Sequence, residues 1–258
     1  MELGFFSMNT DFGLRADVLA TALESRGFAS LWVGEHSHIP VDRATPYPAG
    51  GELPEAYWHM LDPFVSLGQA AAVTTTLRLG TGVCLVLEHD VLDLAKQVAT
   101  LDFLSGGRVD FGVGVGWNQE ELANHTTIPF RQRYRALREA VGVLRACWTQ
   151  DESSFHGEFF NFDGLWSYPK PAQPTLPVFF GAAGKLGMAH TAEWSDGWCP
   201  IETACCDFNP DTDKLLRFRD LGIHQVLIGT GTAAGTTLDS TLPLLDRFAA
   251  VIPELVAP

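Results

Sequence analysis

The stretch FGVGVGWNQEE occupies residues 111–121, and its first half alternates glycine with bulky apolar residues. Glycine weakens a strand interior and marks places where another group approaches the backbone closely. Because side chains on a strand alternate between two faces, Phe111, Val113 and Val115 share one face and the intervening glycines share the other. We interpret the stretch as a buried strand with one bulky face and one bare face.

Helical patterns flank this strand on both sides. Before it, apolar residues recur three or four positions apart over residues 91–104, and SGG at 105–107 is typical of a helix C-terminus. After it, the same spacing predicts a helix over residues 131–148. Helix and strand therefore alternate around the glycine-rich stretch.

The same alternation runs through most of the chain. The short apolar runs that predict strands lie at 3–7, 30–36, 77–85, 108–116, 177–181, 196–201 and 224–231. Repeated strand–helix units predict a parallel sheet with helices outside it. With about seven or eight strands in 258 residues, the chain fits an α/β (β/α)8 TIM barrel, which requires ~250 residues.

Two segments depart from a regular barrel. Residues 152–176 include SFHGEFFNF, which we interpret as a small hairpin inserted into a single domain of residues 1–258. Residues 200–213 are too short for a complete helix and strand, so the unit around strands six and seven is shortened, with ACCDF as the candidate seventh strand. A doubly wound sheet would require a glycine fingerprint after the first strand, where the chain reads MNTDFG. We therefore favour the barrel.

Charge and cysteine content narrow the partners and the location. The chain carries 17 basic and 31 acidic residues, a net charge of −14, which argues against nucleic acid or an anionic membrane as partner. We see no signal peptide and no apolar run of membrane-spanning length. Five cysteines without CxxC spacing favour a reducing, cytoplasmic location. We expect a small-molecule substrate and a homodimer.

Candidate catalytic residues follow the second and fourth strands, because a barrel carries its chemistry at the C-terminal ends of its strands. Glu35 and His36 follow the second strand, and imidazole titrates near neutrality, so His36 is a candidate acid or base; a structural role is the alternative. We expect the bulky face of residues 111–115 to point inward and the glycines to pack against the outer helices. Trp117 then points into the cavity, or it merely plugs the barrel top.

Two other strand ends are candidates for cofactor binding. Gly82 removes side-chain bulk where a flat ring could lie against the backbone. The fifth apolar run leads directly into a helix, whose free amides form a natural phosphate site, although a simple tight turn would read the same way. These amides belong to Gly181, Ala182, Ala183, Gly184 and Lys185.

Taken together, these motifs resemble the bacterial luciferase-like monooxygenases, and within them the F420-dependent (deazaflavin) oxidoreductases. The matching motifs are LWVGEHSHIPVDRATPYPAGG (31–51), LRLGTGVCLV (77–86), LAKQVATLDFLSGGRVDFGVGVGWNQEEL (94–122), RYRALREAV (133–141), WSYPKPAQ (166–173) and VFFGAAG…AEWSDGWCP (178–200). They span about residues 3–201, and the stretch 94–122 is the most specific.

The resemblance implies a barrel that binds the deazaflavin F420, or FMN as the alternative, at its C-terminal mouth. It implies hydride transfer or oxygen activation on an organic substrate. The residues implied near the cofactor are Glu35, His36, a cis peptide at Gly82–Val83, the pocket lining Gly116, Trp117 and Asn118, and the phosphate site 181–184. Trp117 stands where the sugar-phosphate dehydrogenase branch has an acidic glutamate, which is a departure from that branch.

Two other classes of function stay open at this stage. His36 and His38 have the spacing of a metal pair in a barrel hydrolase, but the strands ending at 181 and 229 supply no further ligand. We therefore predict no metal site. A non-catalytic relative that binds flavin without turnover is the other alternative, because the unit at 200–213 is shortened.

Overall fold

The structure, a computed structural model, describes residues 1–182, 184–200, 210–230 and 236–256. The candidate seventh strand ACCDF falls outside these ranges. Within them, the expected alternation of strands and helices is present. No described helix combines the length and the apolar character that crossing a bilayer requires.

A curled parallel sheet forms the centre of the protein. Its strands and those of the hairpin are β1 (Glu2–Ser7), β2 (Ser30–Val33), β3 (Arg78–Thr81), β4 (Cys84–Leu85), β5 (Val109–Gly114), β6 (Ser153–His156), β7 (Asn161–Leu165), β8 (Val178–Phe180), β9 (Gly197–Trp198) and β10 (Gln225–Gly229). The sheet runs in the order β10-β1-β2-β3-β5-β8-β9, with β4 also paired to β5. Because neighbouring strands are parallel and joined through helices, the predicted TIM-barrel class is confirmed.

Helices cover the outside of this sheet. The helices in the described ranges are α1 (Ala16–Glu24), α2 (Pro63–Val73), α3 (Val91–Ser105), α4 (Gln119–His125), α5 (Arg133–Thr149), α6 (Gly184–Trp194), α7 (Thr212–Asp220), α8 (Leu238–Ala249) and α9 (Ile252–Val256). The bounds predicted for helix α3, 91–104, agree with the structure within one residue, because both ends carry capping residues. The Asp90 carboxylate accepts the amides of Leu92 and Asp93 at its start, and Gly106 takes a left-handed φ of 73° at its end.

The predicted hairpin insertion is present as β6 and β7, which pair antiparallel with a register shift between Ser153 and Phe155. The Glu139 carboxylate of α5 accepts the amides of Glu158, Phe159 and Phe160 in the turn. This fixes the hairpin against the outside of the barrel.

The alternating glycines face the barrel interior, so the expected orientation of strand β5 is wrong. The ring of Phe111 meets Trp148 on the outer helix α5, with centroids 5.9 Å apart. On the opposite face, a Cβ added to Gly112 would lie 3.1 Å from the ring of Trp32 and 2.0 Å from the Thr81 carbonyl oxygen. The bulky face packs on the helices, and the bare face looks inward.

Large aromatic rings inside the barrel explain this reversal. Trp32 of β2 points inward, and its indole N–H donates to the Ser30 hydroxyl at 2.9 Å. Its ring contacts that of Phe179, with the two centroids 5.6 Å apart. A Cβ added to Gly80 would lie 2.2 Å from a carbon of the same indole. Bare backbone at Gly80 and Gly112 therefore makes the room that one buried tryptophan needs.

Candidate active site

His36 lies at the C-terminal end of β2, buried to 9% exposure, and both of its ring nitrogens are engaged. Its Nδ1 lies 2.7 Å from Oε2 of Glu121. The indole N–H of Trp117 donates to its Nε2 at 3.3 Å. Because an indole can only donate, Nε2 is the unprotonated nitrogen and Nδ1 carries the proton that Glu121 accepts. The imidazole is therefore held with its basic atom on the Trp117 side.

Helix α4 supplies the carboxylate that orients this imidazole. The Asn118 side-chain oxygen accepts the Glu121 amide at 3.3 Å and caps the first turn. Glu121, fully buried in that turn, faces back toward His36. The sequence carried a signal for this residue, because Asn followed three positions later by Glu is typical of a helix start. We predicted Asn118 as pocket lining and did not predict helix α4 or Glu121.

Aromatic rings from the long segment after β2 surround His36. Tyr57 lies 5.4 Å from the His36 ring between centroids, and Tyr47 lies 6.1 Å from Trp117. The two phenol oxygens are 3.2 Å apart. Burial, followed by the hydrogen bond to Tyr47, raises the pKa of Tyr57. The two tyrosines, which the sequence analysis did not predict, form an aromatic wall beside Trp117.

Glu35, the other residue predicted to be catalytic, anchors the strand ends. Its Oε2 accepts the Leu85 amide at 2.6 Å, and its Oε1 lies 2.8 Å from Nε2 of His89. Burial alone would raise the pKa of Glu35, but the bonds from His89 and Leu85 outweigh it and lower the pKa. An ionised Glu35 with both oxygens occupied ties the segment after β2 to β4 and to His89, and a catalytic role for it stays a prediction.

A metal ion has little to bind here among the described residues. Their one metal-like group is Glu35, Cys84 and His89, whose ligand atoms lie within 4.8 Å of one another. Burial raises the pKa of the Cys84 thiol well above its usual range, so the sulfur keeps its proton. His36 and His38 do not converge, because His38 contacts the side chains of Ser37 and Asn124. The arrangement does not favour the hydrolase alternative.

The predicted ring-binding residues gather around Val83. The Gly82–Val83 peptide is cis, as the resemblance implied. A Cβ added to Gly181 would lie 2.5 Å from Val83 Cγ1, and one added to Gly82 would lie 3.1 Å from the ring of Phe6. Gly116 has φ 69°, and a Cβ there would lie 3.4 Å from Oε1 of Glu88. Bare backbone therefore lines these strand ends, and the side chains of Val83, Phe6 and Glu88 lie directly against it.

The predicted phosphate site has fewer free amides than expected. The Gly181 amide donates to the Val113 carbonyl at 2.8 Å as part of the sheet, so it is not free for an anion. The Ala182 carbonyl accepts the indole N–H of Trp198 at 2.8 Å. Ala183 lies outside the described residues. Helix α6 begins at Gly184, with Lys185 exposed in its first turn, and a phosphate there stays a prediction.

Comparison with known proteins identifies the class to which this fold and site belong. Residues 14–204 match the family model described as luciferase-like monooxygenase. The chain belongs to this family.

Individual relatives differ in how much of their length this chain covers. It is 39% identical to the uncharacterized protein Rv0953c of Mycobacterium tuberculosis, over 97% of this chain and 98% of that protein. It is 30% identical to the F420-dependent glucose-6-phosphate dehydrogenase of Kineococcus radiotolerans, over 77% of this chain and 56% of that enzyme. A solved F420-dependent secondary alcohol dehydrogenase in complex with an F420-acetone adduct has the same fold, with TM-score 0.64, 21% identity, and coverage of 88% of this chain and 65% of that one. The chain thus spans little more than half of some enzymes that it resembles.

Proposed function

We propose that this chain is an oxidoreductase that binds the deazaflavin F420 at the C-terminal strand ends and exchanges a hydride with a small organic substrate. The observation that carries the proposal is the buried His36, held by Glu121 with its basic Nε2 on the side of Trp117. The similarity to F420-dependent dehydrogenases supports the choice of cofactor.

The chain's own residues would manage the proton that accompanies the hydride. When bound, the deazaflavin supplies the hydride chemistry. In substrate oxidation, Nε2 of His36 accepts the proton of a substrate hydroxyl, and Trp117 gives up its bond to that nitrogen. The imidazolium that forms is stabilised by the Glu121 carboxylate, 2.7 Å from Nδ1. In the reverse direction, the same nitrogen returns the proton.

Residues around the strand ends would hold the cofactor. Gly82, Val83 and Gly116 offer bare or small surfaces to a ring, and the wall of Tyr47, Tyr57 and Trp117 limits access of water to His36. The first turn of α6, with Lys185, is our candidate for the phosphate. FMN is the alternative cofactor, because it also has a flat ring and a phosphate.

Cofactor titration tests this proposal. We expect F420 to bind the purified apoprotein more tightly than FMN, and FMN more tightly than riboflavin, which has the same ring system without the phosphate. Deazaflavin and flavin fluorescence provide the measurement. Tighter binding of FMN would replace the proposed cofactor, equal binding of FMN and riboflavin would contradict the phosphate site, and no binding of F420 or FMN would contradict the proposed function.

A further inference from the structure

A second carboxyl group, Glu88, lies buried behind the pair of His36 and Glu121. It ends the 3-10 turn Val86–Glu88 just before α3, and its side chain is 3% exposed. Within the ranges that the structure describes, neither oxygen of Glu88 has a hydrogen-bond donor, and Oε1 of Glu121 has none either. Two neighbouring buried carboxyl groups thus carry oxygens without a donor.

In the part of the chain that the structure describes, the surroundings of Glu88 supply negative charge and no compensating cation. Glu35 approaches from the segment after β2 and Glu121 from α4. His125 of α4 lies 3.9 Å away, but burial and then the charge of His38 lower the pKa of His125, so it favours its neutral form. The other titratable groups nearby are already engaged: His36 with Glu121, His89 and the Cys84 thiol with Glu35, and Asp90, exposed, with the first amides of α3.

Helix α5 also packs against the 3-10 turn, and it buries apolar residues along its length. Its arginines are engaged elsewhere: Arg133 with the Phe130 carbonyl, Arg138 with Glu193 and Arg145 with Asp196. Among the described residues, α5 therefore supplies no charge that compensates Glu88. Two carboxylates cannot both stay ionised side by side in such a space. Burial, then the charges of Glu121 and Glu35, raise the pKa of Glu88 to about 9.

We propose that Glu88 is a neutral carboxylic acid whose O–H donates to Oε1 of Glu121 and so holds Glu121 as the single carboxylate on His36. Each Glu121 oxygen then has one donor, the Glu88 hydroxyl on Oε1 and the His36 Nδ1–H on Oε2. Glu88 acts as a positioning residue through Glu121. Its effect on turnover rests on the proposed function, whereas its protonation does not.

The net charge of the trio Glu88, Glu121 and His36 explains why a proton on Glu88 matters. With Glu88 neutral, the trio carries one negative charge when the imidazole is neutral and none when it is protonated. Ionised Glu88 would add a second negative charge behind Glu121 and hold the imidazolium too firmly for the proton to return to a substrate. One negative charge suits proton transfer in both directions.

The variant Glu88→Gln tests the protonation, because an amide donates an N–H to Glu121 but cannot ionise. The native pKa of Glu88 is raised above its ordinary value of 4.5, so between about 4.5 and 9 the native state keeps a proton that the unfolded state has lost. Stability of the wild type therefore falls as pH rises through this window. We expect the folding equilibrium constant of Glu88→Gln, relative to wild type, to increase by up to about tenfold per pH unit across it.

Denaturant unfolding between pH 5 and 9 measures this slope without any cofactor or substrate. The matched control is Glu52→Gln, an exposed glutamate in the segment after β2, which should leave the pH dependence unchanged. If Glu88→Gln does not fold, carboxyl 13C NMR of the wild type replaces it, and one glutamate should titrate near pH 9. Equal pH slopes of the Gln variant and wild type, or no carboxyl that titrates in this range, would overturn the proposal.

Activity separates this proposal from the proposed function. We expect Glu88→Gln to keep kcat close to that of the wild type at pH 7. Above pH 9 the variant should keep this kcat, whereas the kcat of the wild type changes because Glu88 ionises. We expect Glu88→Ala to lose about 10–100-fold, as outer partners of a catalytic group commonly do. The expected stability slope without turnover in any variant would support a protonated Glu88 and contradict the proposed function. A fall in activity of Glu88→Gln equal to that of Glu88→Ala would overturn the positioning role.

Discussion

Replacing His36 with alanine is expected to lower kcat by about 10²–10⁴-fold, the usual contribution of a general acid–base group. The variant removes Nε2, which we propose as the proton acceptor, and it leaves the Glu121 carboxylate without the donor that lies 2.7 Å away. Cofactor affinity should change little, because the backbone at Gly82 and Val83 and the start of α6, which we propose hold the cofactor, stay in place. Steady-state kinetics together with cofactor titration separate the two effects.

The matched control for this variant is His38→Ala. His38 lies two residues further along the same segment and is half-buried, with partners Ser37 and Asn124. Its replacement should leave kcat within a few-fold of wild type. Unchanged turnover in His36→Ala, or equal losses in both variants, would show that the proton is handled elsewhere.

Replacing Gly80 with alanine is expected to destabilise the fold by ~3 kcal/mol or more, at the upper end for overpacked cores. The added Cβ would lie 2.2 Å from a ring carbon of Trp32, which is held by hydrogen bonds to Ser30 and Gln225. The ring cannot yield without losing those bonds and its contact with Phe179. Chemical unfolding of the variant and wild type measures the difference.

A double-mutant cycle identifies the cause of this loss. Trp32→Ala alone should cost ~3–5 kcal/mol, as for other buried aromatic rings, and Gly80→Ala should then cost almost nothing in that background. Gly68→Ala is the control, because nothing lies within 4 Å of its added Cβ on the exposed face of α2; it should stabilise by up to ~1 kcal/mol. A full loss from Gly80→Ala in the Trp32→Ala background would contradict the inward orientation of these glycines.

The sequence predicted the barrel class because its signals are local and repeated. Helix α3 has apolar residues at helical spacing, an Asp at its start and a left-handed Gly106 at its end, and its bounds were predicted within one residue. The Gly82–Val83 peptide was also predicted correctly, from a motif that a long stretch of neighbouring sequence supported.

The orientation of β5 could not be read from β5 alone. The general preference for bulky residues inside a barrel gave the wrong face, because the interior here is filled by rings from other strands, above all Trp32. Which face of a strand is bare depends on a side chain about eighty residues away in the chain, between Trp32 and Gly112. The alternation of bulky residues and glycines shows that the strand has two different faces, but it does not determine which face lies inside the barrel.

The site was predicted only where residues follow strands directly. His36 and Trp117 come straight after β2 and β5, and the structure brings them together. Glu121 and Tyr57 lie on short helical turns whose periodicity is too brief to stand out, so their convergence on His36 required the structure. Glu88 had no signal in the sequence, since a glutamate before a helix is usually solvent-exposed.

The proposed base is tested most directly by 15N NMR of the His36 side chain in the apoprotein at mildly alkaline pH, with the signal identified by its loss in His36→Ala. We predict that the neutral imidazole carries its proton on Nδ1 and leaves Nε2 bare, as the contacts with Glu121 and Trp117 require. Glu121→Gln should weaken this preference. A predominant Nε2–H tautomer in the wild type, or rapid exchange between both forms, would contradict the base that the proposed function needs.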